Sequence, residues 1–204
     1  MIKLASKMNI ILIGGTSHTG KSTLAQALAS TLGWNYVSTD KLARHPGRPW
    51  RMLPETVPAH VAEHYLTFSV EELITDVLRH YKNNVWPIVS QLVVSVAIDP
   101  SQEGLVLEGS ALWPEWVATI TYDHLSAVWL TASAQVIAGR IYEESHYREK
   151  APREKEMIDK FLQRTLVYNT RMMAVIHRLG LHSIDVSTIV SLEQLIDECL
   201  ELLA

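Results

Sequence analysis

Apolar residues occur in short runs that alternate with longer stretches of mixed apolar and polar residues. Residues 9–13 read Asn-Ile-Ile-Leu-Ile, a continuous run typical of a strand buried on both faces of a parallel sheet. Residues 22–32 follow with a leucine at every fourth position, which predicts a helix, and Gly33 is suited to end it. Further strands are predicted at residues 34–38, 105–107, 124–130 and 182–186.

Helices are predicted in the gaps between these strands. Two of them begin with the pattern of a capping box, formed by Ser69 with Glu72 and by Ser191 with Gln194. Regular alternation of strands and helices favours a parallel sheet with helices on both faces. We therefore predict a single α/β domain of three layers over residues 1–204.

Two stretches interrupt the alternation of strands and helices. Residues 41–58 are rich in proline and arginine and are interpreted as an ordered loop, whereas residues 143–156 are dense in charge. Both follow predicted strands, at the edge where sheets of this kind bind their ligands.

Composition and charge narrow the class of protein and of partner. A chain of 204 residues with 48% hydrophobic and 20% charged residues can fill one globular core, and no apolar run is long enough to span a bilayer. The net charge of −4, without a basic block, disfavours a nucleic-acid partner. The single cysteine excludes an internal disulfide, so a cytoplasmic location is expected.

Residues 15–22 read Gly-Thr-Ser-His-Thr-Gly-Lys-Ser, the complete pattern of a phosphate-binding loop (the phosphate loop below). The glycines let successive N–H groups point at phosphate oxygens, and the helix that follows adds its positive end. We expect Lys21 to reach the β- and γ-phosphates and Ser22 to place its hydroxyl on Mg²⁺. The predicted nucleotide contacts are Gly15, Thr16, Ser17, His18, Thr19, Gly20, Lys21, Ser22 and Thr23.

The side chain of His18 occupies an unconstrained position of the phosphate loop, and we interpret it as a solvent-facing spacer. The chain has no Asn-Lys-x-Asp motif for reading guanine, and no Asp-x-x-Gly segment after the third predicted strand. ATP is therefore expected as the nucleotide rather than GTP.

Three segments together resemble the P-loop small-molecule kinases, a group that includes shikimate, gluconate, nucleoside and 2-phosphoglycerate kinases. They are residues 14–29, Asp40 after the second strand, and Val-Leu-Glu-Gly at 106–109. Residues 105–114 are especially similar to the apolar-Glu-Gly segment followed by proline in the 2-phosphoglycerate kinase group. The resemblance implies a five-stranded parallel sheet in order 2-3-1-4-5, ATP with Mg²⁺ as phosphoryl donor, and a mobile lid, which we place at residues 140–156.

The resemblance also implies an acceptor side. Asp40 matches a carboxylate that binds the acceptor hydroxyl or acts as its base, although an aspartate here could instead cap a helix. Glu108 matches an acidic residue near Mg²⁺ and the attacking group. Because Glu108 follows a buried run, where an unpaired carboxylate is costly, a functional role is favoured.

On the nucleotide side, the resemblance matches Arg140 to an arginine that packs on adenine, and Val186 and Ser187 to the lining of the adenine pocket. Arg148, and less surely Arg153, match lid arginines that close on the phosphates. The alternative for both lid arginines is an exposed, solvated charge run.

Residues 57–99 are predicted to form a helical, acceptor-binding insertion. Arg48 in the proline-rich loop is a candidate substrate contact, or it packs on Trp50. His60 and His64 lie four residues apart on a predicted helix, a spacing that can bind a metal. No third ligand has matching spacing, so we interpret the two histidines as a surface pair.

These features favour an ATP-dependent kinase that transfers phosphate to a hydroxyl of a small molecule. Its expected partners are that acceptor and, at most, a second copy of the chain, as a monomer or homodimer with no membrane contact. Two alternatives stay open, a P-loop ATPase and a nucleotide-binding regulatory module without an acceptor. The acceptor side separates them, because a kinase needs Asp40 and Glu108 to face one pocket.

Overall fold

The computed structural model describes residues 8–43, 45–52, 55–99 and 101–203. Its centre is a parallel sheet of five strands in the order β2-β3-β1-β4-β5, which confirms the predicted topology. The strands are β1 Ile10–Gly15, β2 Asn35–Ser38, β3 Leu105–Glu108, β4 Leu125–Thr131 and β5 Ser183–Asp185.

Helices pack on both faces of this sheet, as the predicted three-layer α/β/α architecture requires. They are α1 Lys21–Leu32, α2 Ala59–Thr67, α3 Val70–His80, α4 Trp86–Ile98, α5 Pro114–Val117, α6 Ala134–Glu144, α7 Pro152–Leu179 and α8 Leu192–Leu203. A π-helical turn, Tyr81–Val85, joins α3 to α4, and short 3₁₀ turns lie at Thr39–Lys41 and Tyr147–Glu149.

Helices α1 and α3 have the terminal residues that the sequence predicts, whereas the start of α8 differs in one hydrogen bond. Gly33 ends α1 in the left-handed conformation, with φ of 68°. Ser69 and Glu72 form the predicted capping box of α3. At α8 the Ser191 hydroxyl accepts from the backbone N–H of Gln194, but the Gln194 side chain accepts from Val190 instead of returning to Ser191.

The continuous apolar run of β1 is explained by its position between β3 and β4. Ile11 and Ile13 belong to a buried cluster that includes residues of α1, α6 and α8. Ile10 and Leu12 belong to a second cluster that includes residues of α4 and the C-terminal half of α7. Alternate side chains thus enter opposite cores, so every position of β1 is apolar. Within the described residues, no helix is both long and apolar enough to cross a membrane.

Gly109 allows the turn after β2 to approach the end of β3. Its φ is +147°, and a Cβ atom added there would lie 1.7 Å from Oγ1 of Thr39. A side chain at this position would therefore push apart the two turns that carry Asp40 and Glu108.

We expect Gly109→Ala to lower the free energy of unfolding by about 3 kcal/mol, from backbone strain together with the steric clash. Urea unfolding measures this change. Gly139→Ala in α6 is the matched control, because an added Cβ there meets no atom within 4 Å. The control should raise stability by about 0.5–1 kcal/mol. Equal stability of the two variants would contradict the close approach.

Candidate active site

The phosphate loop connects the carboxyl end of β1 to α1, at the edge of the sheet where all five strands end. Gly15, His18 and Gly20 have positive φ, of 142°, 65° and 87°. A positive φ is uncommon for a residue with a side chain, so His18 carries some backbone strain. The first turn of α1 has no acidic residue and no side-chain cap, which leaves its N–H groups for an anion.

Lys21 lies beneath the loop, with 7% of its surface exposed. Its ammonium group donates a hydrogen bond to the carbonyl oxygen of Thr16, at 2.7 Å. Burial lowers the pKa of Lys21, while the carboxylates of Glu108 and Asp40 act in the opposite direction. The two acidic neighbours therefore favour the charged form of Lys21, against the effect of burial.

Glu108 ends β3 and is 2% exposed. Its Oε1 accepts hydrogen bonds from the hydroxyls of Ser22 and Tyr36, each at 3.1 Å. The two predicted metal ligands, Ser22 and Glu108, are thus in contact. The Ser22 hydroxyl and the buried Glu108 carboxylate supply two oxygen ligands of the kind that Mg²⁺ prefers. The sequence reasoning missed Tyr36, whose pKa is raised by burial and by the Glu108 charge.

The prediction of a solvent-facing His18 is wrong, since its side chain is 4% exposed. The rings of Trp50 and Phe161 lie 5.9 and 6.0 Å away, so the proline-rich loop and α7 cover the imidazole. Nε2 of His18 is 2.9 Å from Oε2 of Glu144, although the ring N–H does not point along this line. Burial, with help from the Arg48 charge, lowers the pKa of His18 to about 4.

The C-terminal part of α6 contacts the phosphate loop through two charged side chains, Arg140 and Glu144. Arg140 donates to the backbone carbonyl of His18 at 2.8 Å. Glu144 contacts His18 and also forms an ion pair with Arg48 of the proline-rich loop. The guanidinium of Arg48 also lies 5.9 Å from the centre of the Trp50 ring, so the packing alternative is observed, and a contact of Arg48 with substrate stays a prediction.

A larger cavity, of about 730 Å³, lies over the phosphate loop. Apart from residues 17–23 of the loop and the start of α1, its lining includes Asp40, Arg48, Glu108, Arg140 and Val186. Ser187 is not part of this lining; its hydroxyl accepts a hydrogen bond from the backbone N–H of Ser133, at 2.7 Å.

The predicted lid arginines lie away from this site. Among the described residues that line the larger cavity, neither Arg148 nor Arg153 occurs. Arg148 instead borders a surface hollow together with Tyr142 and Tyr147. A contact of Arg148 with the phosphates stays a prediction, and it requires residues 140–156 to move.

A smaller cavity, of about 180 Å³, adjoins the larger one. The two share Ser17, Asp40, Arg48 and Ser110 in their linings. The walls of the smaller cavity come from the phosphate loop, the turn after β2, the proline-rich loop, α3, the π-helical turn and α7. The predicted helical segment 57–99 contributes Val77, His80, Tyr81 and Val85.

Arg164 of α7 lines this smaller cavity and was missed by the sequence reasoning. Its guanidinium lies 4.7 Å from the ring of Phe161 and donates to the hydroxyl of Tyr65 at 3.2 Å. In the described parts of the chain, Arg164 has no carboxylate as an ion-pair partner. Nothing in the local sequence marks it, because α7 reads as an ordinary amphipathic helix.

Comparison with known proteins identifies the fold. No protein-family model matches the chain. Over 50 residues it is 48% identical to a cytidylate kinase from Chlamydia caviae, a match that spans 22% of this chain and 23% of that protein. The chain thus covers under a quarter of the length of this curated relative.

Solved structures resemble the whole chain. A gluconokinase from Sinorhizobium meliloti aligns over 97% of this chain and 92% of its own, with a TM-score of 0.56 and 19% identity. A deoxyadenosine kinase from M. mycoides aligns over 94% and 97%, with a TM-score of 0.51 and 13% identity. A shikimate kinase from Bacteroides thetaiotaomicron aligns over 95% and 97%, with a TM-score of 0.50 and 16% identity. The resemblance to the P-loop small-molecule kinases is therefore confirmed at the level of the fold, and this chain has the three-layer α/β/α fold of that group.

Proposed function

We propose that the protein is an ATP-dependent phosphotransferase that acts on a hydroxyl group of a small molecule. One observation carries the proposal: a second, smaller cavity opens beside the phosphate loop, and Asp40 stands at the junction of the two cavities. An ATPase or a simple nucleotide-binding module needs the larger cavity alone.

The residues of the larger cavity suit a nucleotide donor. The phosphate loop and the first turn of α1 supply backbone N–H groups, and Lys21 supplies a buried cation. Ser22 and Glu108 would hold Mg²⁺, which neutralises negative charge on the transferred phosphoryl group. Arg140 and Val186 line the side of the cavity next to α6 and β5, where we place the adenine.

The residues of the smaller cavity suit the acceptor. Asp40 is exposed toward both cavities, and a carboxylate there can orient the attacking hydroxyl and take its proton. The basic side chains are Arg48 and Arg164, while Asp40 is the one carboxylate in the described lining. Because Arg164 has aromatic neighbours and no acidic partner there, an acceptor that carries a carboxylate or phosphate would supply the missing anion.

We expect Arg164→Gln to raise the KM of the acceptor at least tenfold, which corresponds to the loss of about 1.4 kcal/mol of a charged hydrogen bond. The KM for ATP should change little, because Arg164 lies in the lining of the smaller cavity alone. Steady-state kinetics with each substrate varied in turn measures both constants.

Arg171→Gln is the matched control, because Arg171 lies two turns further along α7 and pairs with Glu71 at the surface. The control should leave both KM values unchanged. If Arg164→Gln affected ATP and acceptor equally, an anionic acceptor in the smaller cavity would be ruled out. Acceptor-dependent formation of ADP is the test of the function as a whole.

A further inference from the structure

Three side chains from separate elements converge beside the smaller cavity. They are His45 of the proline-rich loop, His64 of α2 and Asp76 of α3, and their donor atoms all lie within 4.8 Å of one another. His45 also lines the smaller cavity. We call these three residues the His-Asp cluster.

Two buried nitrogen atoms of the cluster have no hydrogen-bond partner among the residues that the structure describes. They are Nε2 of His45 and Nε2 of His64. Oδ2 of Asp76 lies 4.0 Å from Nε2 of His45, which is too long for a hydrogen bond. A buried polar atom without a partner costs free energy, and two such atoms facing one carboxylate require an explanation.

The carboxylate is oriented by a neighbour outside the cluster. Oδ1 of Asp76 accepts a hydrogen bond from Arg79, which lies one turn further along α3. The other oxygen, Oδ2, is the one that lies near the histidines. In metal sites, a carboxylate ligand is typically held in place by a hydrogen bond from a second residue that does not itself bind the metal.

We propose that the His-Asp cluster binds a divalent transition-metal ion of the zinc class. Two imidazole nitrogens and a carboxylate oxygen are ligands that Zn²⁺ prefers, whereas Mg²⁺ and Ca²⁺ prefer oxygen ligands alone. Donors bound tetrahedrally to one zinc ion lie about 3.4 Å apart, given bond lengths of about 2.0–2.1 Å. Each donor would therefore need to move by less than about 1 Å.

Residues around the cluster affect its net charge and the fourth coordination position of a bound ion. Besides Arg79, which pairs with Asp76, Arg164 is a nearby cation, and at His64 the negative charge of Asp76 acts against that of Arg164. The His80 ring lies 5.0 Å from the His45 ring, and Nδ1 of His80 is 3.0 Å from Nδ2 of Asn84. Three protein ligands leave one coordination position for water or His80.

Binding of a metal here would fix the wall of the smaller cavity. The proline-rich loop carries Arg48 and Trp50, and His45 would join it through the ion to α2 and α3. The sequence suggested a metal from the spacing of His60 and His64, but only His64 belongs to the cluster. His60 is exposed, and the other two proposed ligands, His45 and Asp76, lie on other elements. The interpretation of His64 as half of a surface pair is thus wrong.

Calorimetric titration of the tag-free 204-residue chain with ZnCl₂ tests the proposal. We expect one site per chain, and a zinc-dependent rise of several degrees in Tm because the ion binds the folded state. His64→Ala should weaken binding at least tenfold and abolish the rise in Tm. His60→Ala, on the same helix but outside the cluster, should leave both unchanged.

Asp76→Asn provides a second variant of nearly identical shape, in case His64→Ala does not fold. X-ray absorption of the zinc-loaded chain should show imidazole and oxygen ligands, and the imidazole signal should fall in His64→Ala. Absence of zinc binding by the wild type at micromolar concentration, or equal loss in His60→Ala, would overturn the proposal. These measurements do not involve phosphoryl transfer, so they are independent of the proposed kinase activity.

Discussion

Replacement of Lys21 by alanine should reduce the kcat of phosphoryl transfer about 10³-fold. Lys21 is the buried cation of the phosphate loop, and the charges of Glu108 and Asp40 favour its protonated form. Removing one preorganised group that stabilises transition-state charge costs about 10²–10³ in rate, and Lys21 would contribute a full charge. Acceptor-dependent release of ADP, measured at saturating ATP, gives kcat directly.

The fold should survive this change. The lost hydrogen bond to the Thr16 carbonyl is worth about 1–2 kcal/mol, which is small against the stability of a typical domain. Lys160→Ala is the matched control, because its ammonium group also donates to backbone carbonyls, those of Leu66 and Phe68, away from the phosphate loop. The control should keep its kcat. Near-normal transfer by Lys21→Ala would refute the assigned mechanism.

Asp40→Asn should lower kcat by about 10²–10⁴ while leaving the Kd for ATP nearly unchanged. Asp40 stands where the two cavities meet, in the 3₁₀ turn after β2, and its side chain caps no helix there. Asparagine keeps the shape but cannot take a proton from the acceptor. Comparing kcat with the Kd from equilibrium ATP titration separates the two effects.

Asp159→Asn serves as the control for this substitution. Asp159 accepts hydrogen bonds from the hydroxyls of Tyr142 and Tyr147, and it lines neither cavity. It should retain kcat and the Kd for ATP. Equal losses of ATP binding and turnover in Asp40→Asn would argue against an acceptor role for Asp40.

The features that sequence predicted well depend on local rules. The phosphate loop follows from the spacing of Gly15, Gly20 and Lys21, and the burial of β1 follows from the four consecutive hydrophobic residues at 10–13. The contact between Ser22 and Glu108 was implied by the resemblance to the P-loop small-molecule kinases, which places β3 beside β1 so that their carboxyl ends meet at one edge of the sheet.

The features that sequence missed depend on long-range packing. His18 is buried because Trp50 and Phe161, from a loop and from α7, cover it. Arg164 lines the smaller cavity because the packing of α7 turns this side chain toward it, and no sequence motif indicates that orientation. Likewise, the His-Asp cluster draws its ligands from three elements without any regular spacing.

The measurement that tests the central claim most directly is ADP formation from ATP and Mg²⁺ across a panel of small hydroxy compounds. The panel should contain carboxylated, phosphorylated and neutral acceptors, and Lys21→Ala should be measured alongside the wild type. The account predicts that ADP forms faster with an anionic hydroxy compound, that this compound becomes phosphorylated, and that Lys21→Ala shows neither effect. ATP hydrolysis by the wild type at one rate, whatever compound is added, would contradict the account and favour an ATPase.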